Sequence, residues 1–208
     1  MSETTASASV ITSERLAGAY TYAAYRQLID ELLAQGRTTG PNQSEDLTRY
    51  AQLNLQRMQR LDKTVTVLPE LQAAVAQLRQ RYVWLVLTEG WCGDAAQIVP
   101  VLHAVASASN GHLTDRYLLR DDNLDLMDRY LTGGVSRSIP KLVVLHADTL
   151  TEAATWGPRP AQAQELLLRL KAAGATHEEY AEQVHGWYAK DKTRSTQLEL
   201  LELVQRLA

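Results

Sequence analysis

Cysteine is nearly absent from the sequence: Cys92 is the only one among 208 residues. A single cysteine excludes a disulfide within the chain, and it excludes a zinc site built mainly from cysteine thiolates. The histidines do not indicate a metal site either, because no helical ligand pair of the type H-E-x-x-H occurs. We therefore expect no metal site and no cofactor, with each histidine either solvated or in the core. The five are His103, His112, His146, His177 and His185.

Three further features are missing. Neither sign of charge dominates, since 21 Lys and Arg face 24 Asp and Glu for a net charge of −3, which offers no electrostatic footprint for nucleic acid or an anionic membrane. No apolar run is long enough to span a bilayer. The first residues carry neither the basic nor the apolar region of a signal peptide. We expect a cytoplasmic protein that binds neither nucleic acid nor membranes.

The chain does have the composition of a globular α/β protein, with 45% hydrophobic and 22% charged residues. From residue 64 onward, short apolar strands alternate with helices in the order β-α-β-α-β-α-β-β-α. That order predicts a central sheet with helices on both faces. Strands are predicted at 64–67, 82–88, 116–120, 140–145 and 152–156. Helices are predicted at 13–34, after Ser44, from Pro69, at 92–106 and 124–131, from Pro160 to Gly174, and after capping boxes at Thr176/Glu179 and Thr196/Glu199.

The same patterns divide the chain into four parts. Residues 1–10 are rich in Ser, Thr and Ala and are predicted to be a disordered tail. Residues 11–63 form an N-terminal helical extension, and residues 64–174 form the α/β domain. Residues 175–208 form a C-terminal helical extension that we expect to pack on the domain.

One turn and one proline carry the chemistry. Trp91-Cys92-Gly93-Asp94 lies between a predicted strand and a predicted helix, and Pro100 follows Cys92 by eight residues. Ile139-Pro140 precedes a predicted hairpin that ends near Gly157. A cysteine at a helix N-terminus faces unpaired N–H groups and the positive end of the helix dipole, which favour the thiolate. A thiolate attacks a disulfide sulfur and forms a mixed disulfide.

These residues, in this order and at this spacing, resemble the thioredoxin family over residues 64–172. The segments 54–63 and 156–160 resemble a branch of bacterial thioredoxin-like proteins with added N-terminal helices. The resemblance implies a thioredoxin-like fold with a central mixed sheet and Pro140 as the cis-proline. It further implies Cys92 as the nucleophile, and a protein or low-molecular-weight thiol or disulfide as the substrate. The substrate groove would be formed by Trp91, Gly93, Asp94, Ile139 and Pro140.

Two departures from that family bear on activity. The second cysteine of C-x-x-C is replaced by Ala95, and the buried acid that thioredoxins carry six residues before the first cysteine is replaced by Val86. Without a resolving thiol, a mixed disulfide at Cys92 would need an external thiol to release it. Asp94 adds a carboxylate that opposes a second negative charge on the sulfur, so any lowering of the thiol pKa should be small.

Three functions are consistent with these residues. The first is a monothiol thiol–disulfide oxidoreductase that uses Cys92 and an external thiol. The second is a redox-inactive thioredoxin-fold module that binds another protein. The third, by analogy with the C-G-x-S turn of monothiol glutaredoxins, is an iron–sulfur protein, which Ala95 argues against.

Overall fold

The computed structural model describes residues 10–208, so the predicted disordered tail, apart from Val10, lies outside the described residues. Four strands are present in this part of the chain: β1 (Tyr82–Thr88), β2 (Leu113–Leu119), β3 (Lys141–His146) and β4 (Glu152–Trp156). The helices are α1 (Ser13–Ala17), α2 (Tyr22–Ala34), α3 (Glu45–Thr64), α4 (Pro69–Ala76), α5 (Gly93–Ser107), α6 (Leu124–Met127), α7 (Ala161–Ala172), α8 (His177–Asp191) and α9 (Arg194–Gln205).

The strands form one mixed sheet in the order β2-β1-β3-β4. β1 pairs parallel with β2 and antiparallel with β3, and β3 pairs antiparallel with β4. The central position of β1 follows from its sequence, because a nearly continuous apolar run suits a strand that is covered on both faces. Trp84, in the middle of β1, is completely buried. The predicted α/β class, with helices on both faces of a mixed sheet, is confirmed.

The strand predicted at 64–67 is wrong. α3 continues through Thr64, and the residues that follow are extended but pair with no strand. Gln197 of α9 supplies hydrogen bonds that a neighbouring strand would give: its Oε1 accepts from the Leu68 N–H at 2.7 Å, and its Nε2 donates to the Thr66 carbonyl at 3.2 Å. The β-branched residues favour extended backbone, but here a side chain satisfies that backbone.

The helix predicted at 13–34 is two helices. α1 ends at the Gly18 cap, and α2 begins after Thr21, whose hydroxyl accepts from the Ala24 N–H at 3.2 Å. Between them, the Tyr20 N–H donates to the Tyr117 carbonyl of β2 at 2.8 Å. The cap at Gly18 ends one helix and the cap at Thr21 begins the next, although the apolar pattern continues through both. The helix predicted at 124–131 is likewise shorter, because α6 ends at Met127.

At the C-terminal end, one predicted capping box is confirmed and the other is wrong. Thr176 and Glu179 cap α8 reciprocally. Thr196 instead lies inside α9, which begins at Arg194. The carboxylate of Glu199 accepts from Trp156 Nε1 and from the Ala161 N–H, both at 2.7 Å, and so joins α9 to β4 and α7.

The helices outside 64–174 share one hydrophobic core with the sheet. Tyr25 of α2 and Met58 of α3 are buried in the same cluster as Trp84, and so are Tyr188 of α8 and Leu200 of α9. We propose that both extensions are integral to a single folding unit. None of the helices in the described part of the chain is long and apolar enough to cross a membrane.

Candidate functional site around Cys92

Cys92 is the N-cap of α5, immediately after the loop that leaves β1. Its Sγ accepts from the Ala95 N–H at 3.5 Å, as an N-cap side chain does. The thiol in turn donates to the Ile139 carbonyl at 3.3 Å. The sulfur thus contacts both an N–H group that stabilises a thiolate and a carbonyl that stabilises the protonated thiol.

Burial decides between these two influences. Cys92 is only 8% exposed. Burial, followed by the Asp94 carboxylate, raises the pKa of the Cys92 thiol to about 12, against the smaller lowering effect of the Ala95 N–H. The balance is the opposite of the one expected from the helix N-terminus alone. At neutral pH the side chain is a protonated thiol.

The proline loop lies against the cysteine, as the thioredoxin resemblance implies. The Ile139–Pro140 peptide bond is cis, and both residues are buried. Gly157 passes so close that a Cβ atom there would stand 2.5 Å from the Pro140 carbonyl oxygen, and its φ of +108° also favours glycine. Cys92, Ile139, Pro140 and Gly157 are therefore brought together by the fold.

Asp94 is held by two residues that the sequence did not assign to the site. Its Oδ2 accepts from Arg159 Nη2 at 2.5 Å, and its Oδ1 accepts from Arg159 Nε at 3.1 Å and from the Tyr188 hydroxyl at 2.7 Å. The Asp94 and Arg159 side chains are 16% and 11% exposed. The carboxylate predicted to bind substrate is thus bound within the protein. The sequence of segment 156–160 does not by itself indicate this ion pair.

α8 covers the turn, and its His185 is a further site residue that the sequence did not indicate. A Cβ atom at Gly93 would lie 2.6 Å from His185 Nε2, so a side chain at this position would have to move the imidazole. Burial, followed by the positive charge of Arg57, lowers the pKa of His185 to about 4. The imidazole is therefore neutral at neutral pH.

Buried polar groups from α3 and from the loop between α2 and α3 hold the loop before Cys92. Asn54 of α3 donates from Nδ2 to the Gly90 carbonyl at 3.1 Å, and the Thr39 hydroxyl accepts from the Gly90 N–H at 2.9 Å. The neighbouring Glu89 is fully buried and accepts from the Asp121 N–H at 2.9 Å. Burial raises the pKa of Glu89 to about 7.

Trp91 is half-buried beside this loop. The guanidinium of Arg120 lies 4.8 Å from the centre of its ring, which is a cation–π geometry. Arg120 also pairs with Asp121 at 2.7 Å. The indole is therefore fixed by the protein's own charged residues on one side.

A pocket of about 270 Å³ opens beside the turn, and we call it the α8 pocket. The predicted site residues at 91–94 form one wall, whereas Ile139 and Pro140 lie outside its lining. In the described part of the chain, no group of three or more His, Cys, Asp or Glu side chains could hold a metal ion. The pocket is lined by Trp91, Cys92, Gly93, Asp94 and Arg159 from the turns, Leu47 and Tyr50 from α3, Leu167 and Lys171 from α7, and His177, Tyr180, Ala181, Val184 and His185 from α8.

Comparison with known proteins agrees with this geometry. A family model described as thioredoxin matches residues 40–177. No curated protein matches the chain. A crystal structure of a protein of unknown function from Pseudomonas aeruginosa superposes with a TM-score of 0.56 at 15% identity, covering 91% of this chain and 99% of that one. An HIV epitope-scaffold superposes with a TM-score of 0.55 at 13% identity, covering 89% and 98%. These two structures show a shared fold.

Proposed function

Because the chain belongs to the thioredoxin family, we propose that it is a redox-inactive member that acts by binding, with the α8 pocket as its binding site. The observation that carries this proposal is the state of Cys92: its thiol is buried beside α8 and donates to the Ile139 carbonyl. Exchange requires an accessible thiolate. The Cys92 thiol is neither accessible to a disulfide nor deprotonated at neutral pH.

The surroundings of Cys92 support the same proposal. Ala95 leaves no resolving thiol in the turn, and the Asp94 carboxylate disfavours a negative sulfur. His185 lies on Gly93, where a disulfide approaching Cys92 would need space. A reduced single cysteine also fits the cytoplasm, which we propose as the location of the protein.

The rate of Cys92 alkylation against pH tests the proposal. With iodoacetamide and intact-mass detection, we expect the native protein to react far more slowly than the same protein in urea. We also expect the midpoint of its rate profile to lie well above the value of a free cysteine, about 8.5. The urea sample is a matched control, because the reagent and the thiol are the same and only the fold differs.

A second candidate, monothiol exchange with an external thiol, is favoured by one observation: Cys92 lies at the N-terminus of α5, where the Ala95 N–H points at its sulfur. An alkylation midpoint at or below about 8.5, together with a persistent mixed disulfide after incubation with oxidised glutathione, would establish this candidate instead.

A further inference from the structure

The wall of the α8 pocket that faces the Cys92 turn is apolar and partly aromatic. It is formed by Leu47 and Tyr50 of α3, Leu167 of α7, and Tyr180 and Val184 of α8. Small-molecule sites share this construction, with an apolar body and a few polar groups that fix orientation. At about 270 Å³ the pocket falls just below the roughly 300–1,000 Å³ of drug-sized sites, which suits a small metabolite rather than a protein segment.

The charge that remains free at this pocket is positive. Asp94 is the only acidic residue in the lining, and Arg159 and Tyr188 already occupy its carboxylate. Lys171 has no carboxylate within ion-pairing distance in the part of the chain that the structure describes; its ammonium lies 5.2 Å from the centre of the Tyr180 ring. The first turn of α5 adds the positive end of a helix dipole at Gly93. These positive charges favour a ligand that carries an anionic group.

We infer that the α8 pocket binds a small organic monocarboxylate, with its apolar body between α3 and α8 and its carboxylate toward Lys171. The inference rests on the proposed binding function and specifies the ligand class of the same site. The apolar body matches the seven lining side chains other than histidine that are aliphatic or aromatic. The single negative charge matches the exposed ammonium group of Lys171, which has no carboxylate partner among the described residues.

Three probes with one aromatic body and different charges test the inference on the full chain: phenylacetate, phenylacetamide and phenethylamine. Titration of the ¹⁵N-labelled protein by NMR gives both the affinity and the location. We expect phenylacetate to bind most tightly, with amide shifts concentrated at 91–94 and 180–185. We expect weaker binding of the neutral amide and none of the amine.

Two variants separate the charge from the cavity. Lys171→Met should weaken phenylacetate binding by roughly two- to fivefold, the range of an exposed ion pair, and should leave binding of the amide unchanged. Lys190→Met is the matched control, since Lys190 is exposed on α8 and outside the pocket lining. Ala181→Trp should fill the cavity and abolish binding of both probes. Lys171→Met keeps the test decisive if the tryptophan variant fails to fold.

Several outcomes would overturn the inference: equal affinity for acid, amide and amine; shifts away from the pocket; Lys171→Met behaving like Lys190→Met; or no binding at millimolar probe. Alkylation of Cys92 distinguishes these from a failure of the proposed function. If Cys92 stays unreactive and no carboxylate binds, only the ligand class is wrong. If Cys92 reacts as a free thiolate, the binding function itself is wrong.

Discussion

The imidazole of His185 lies directly against Gly93, so closely that a Cβ atom at position 93 would stand 2.6 Å from its Nε2. The two residues belong to different elements. Gly93 follows the cysteine in the turn, and His185 belongs to α8, which covers the turn. Their contact explains why the turn that resembles an exposed redox site is instead the floor of a pocket.

Replacing Gly93 with Ala should therefore displace the His185 imidazole from the turn. The backbone at Gly93 is not in the left-handed region, so the cost is the rotation of the imidazole away from its present position, about 0.5–1.5 kcal/mol of the free energy of unfolding. The thiol of Cys92 should also alkylate faster than in the wild type. Urea unfolding and alkylation kinetics measure the two effects.

Gly186→Ala is the control for this change. Gly186 lies in α8 next to His185, but a Cβ atom there would meet nothing within 4 Å. Alanine at an open helix interior position should stabilise the protein by roughly 0.5–1 kcal/mol. If both alanine variants have the same effect, the contact between His185 and Gly93 does not hold α8 in place.

Asp94→Asn should destabilise the protein strongly. The asparagine leaves the mostly buried Arg159 guanidinium without its carboxylate and weakens the bond from the Tyr188 hydroxyl. Because both side chains keep some exposure, we expect a loss of about 2–4 kcal/mol, somewhat below that of a fully buried pair. Denaturant unfolding measures this loss.

Asp46→Asn is the matched control, because it removes the carboxylate of an exposed ion pair. Asp46 pairs with Arg49 at 3.1 Å, with side chains that are 77% and 60% exposed, so its loss should change the unfolding free energy by less than about 1 kcal/mol. Equal losses in the two asparagine variants would mean that the Asp94–Arg159 pair does not tie the Cys92 turn to the rest of the fold.

Glu89 should make stability depend on pH between its unfolded and folded pKa values. Burial raises the pKa of Glu89 from 4.5 to about 7, so in this interval the folded protein retains a proton that the unfolded chain has released. Stability therefore falls as the pH rises from about 4.5 to about 7 and is constant above that. Glu89→Gln removes this loss, and we expect it to gain about 2–3 kcal/mol relative to the wild type over that interval.

Unfolding curves of both proteins across this pH range measure the effect. Glu202→Gln on the exposed face of α9 is the control, and its stability should follow the wild type throughout. A constant difference between Glu89→Gln and the wild type at all pH values would show that Glu89 has the same pKa in the folded protein and in the unfolded chain.

The features that sequence predicted correctly depend on neighbours along the chain. The apolar run of β1, the cysteine at a helix N-terminus and the Ile139-Pro140 pair all carry their information locally. Two of the errors arise where a distant side chain replaces a local partner. Gln197 satisfies the backbone at residues 66–68 in place of a strand, and Glu199 bonds to Trp156 and to the first N–H of α7 rather than capping α9.

The same distinction between local and distant neighbours explains the pKa of the Cys92 thiol. A helix N-terminus predicts a stabilised thiolate from local geometry alone, whereas the burial that raises the pKa of Cys92 comes from the proline loop and from the pocket walls. No local motif marks α8 as the cover of the turn. The sequence signal that could have indicated it is Gly93 itself, because a glycine next to a functional cysteine leaves room for another element to approach.

His185 should destabilise the protein in acid. Burial lowers the pKa of His185 to about 4, below its ordinary value of 6.5, so between these values the unfolded chain holds a proton that the folded protein lacks. Stability therefore falls as the pH drops from about 6.5 to about 4. Because the imidazole keeps some exposure, we expect His185→Gln to remove only about 1–2 kcal/mol of this loss. His177→Gln, at an exposed position on the same helix, should follow the wild type in acid unfolding curves. A His185→Gln curve parallel to both would show that the imidazole is not buried between α8 and the Cys92 turn.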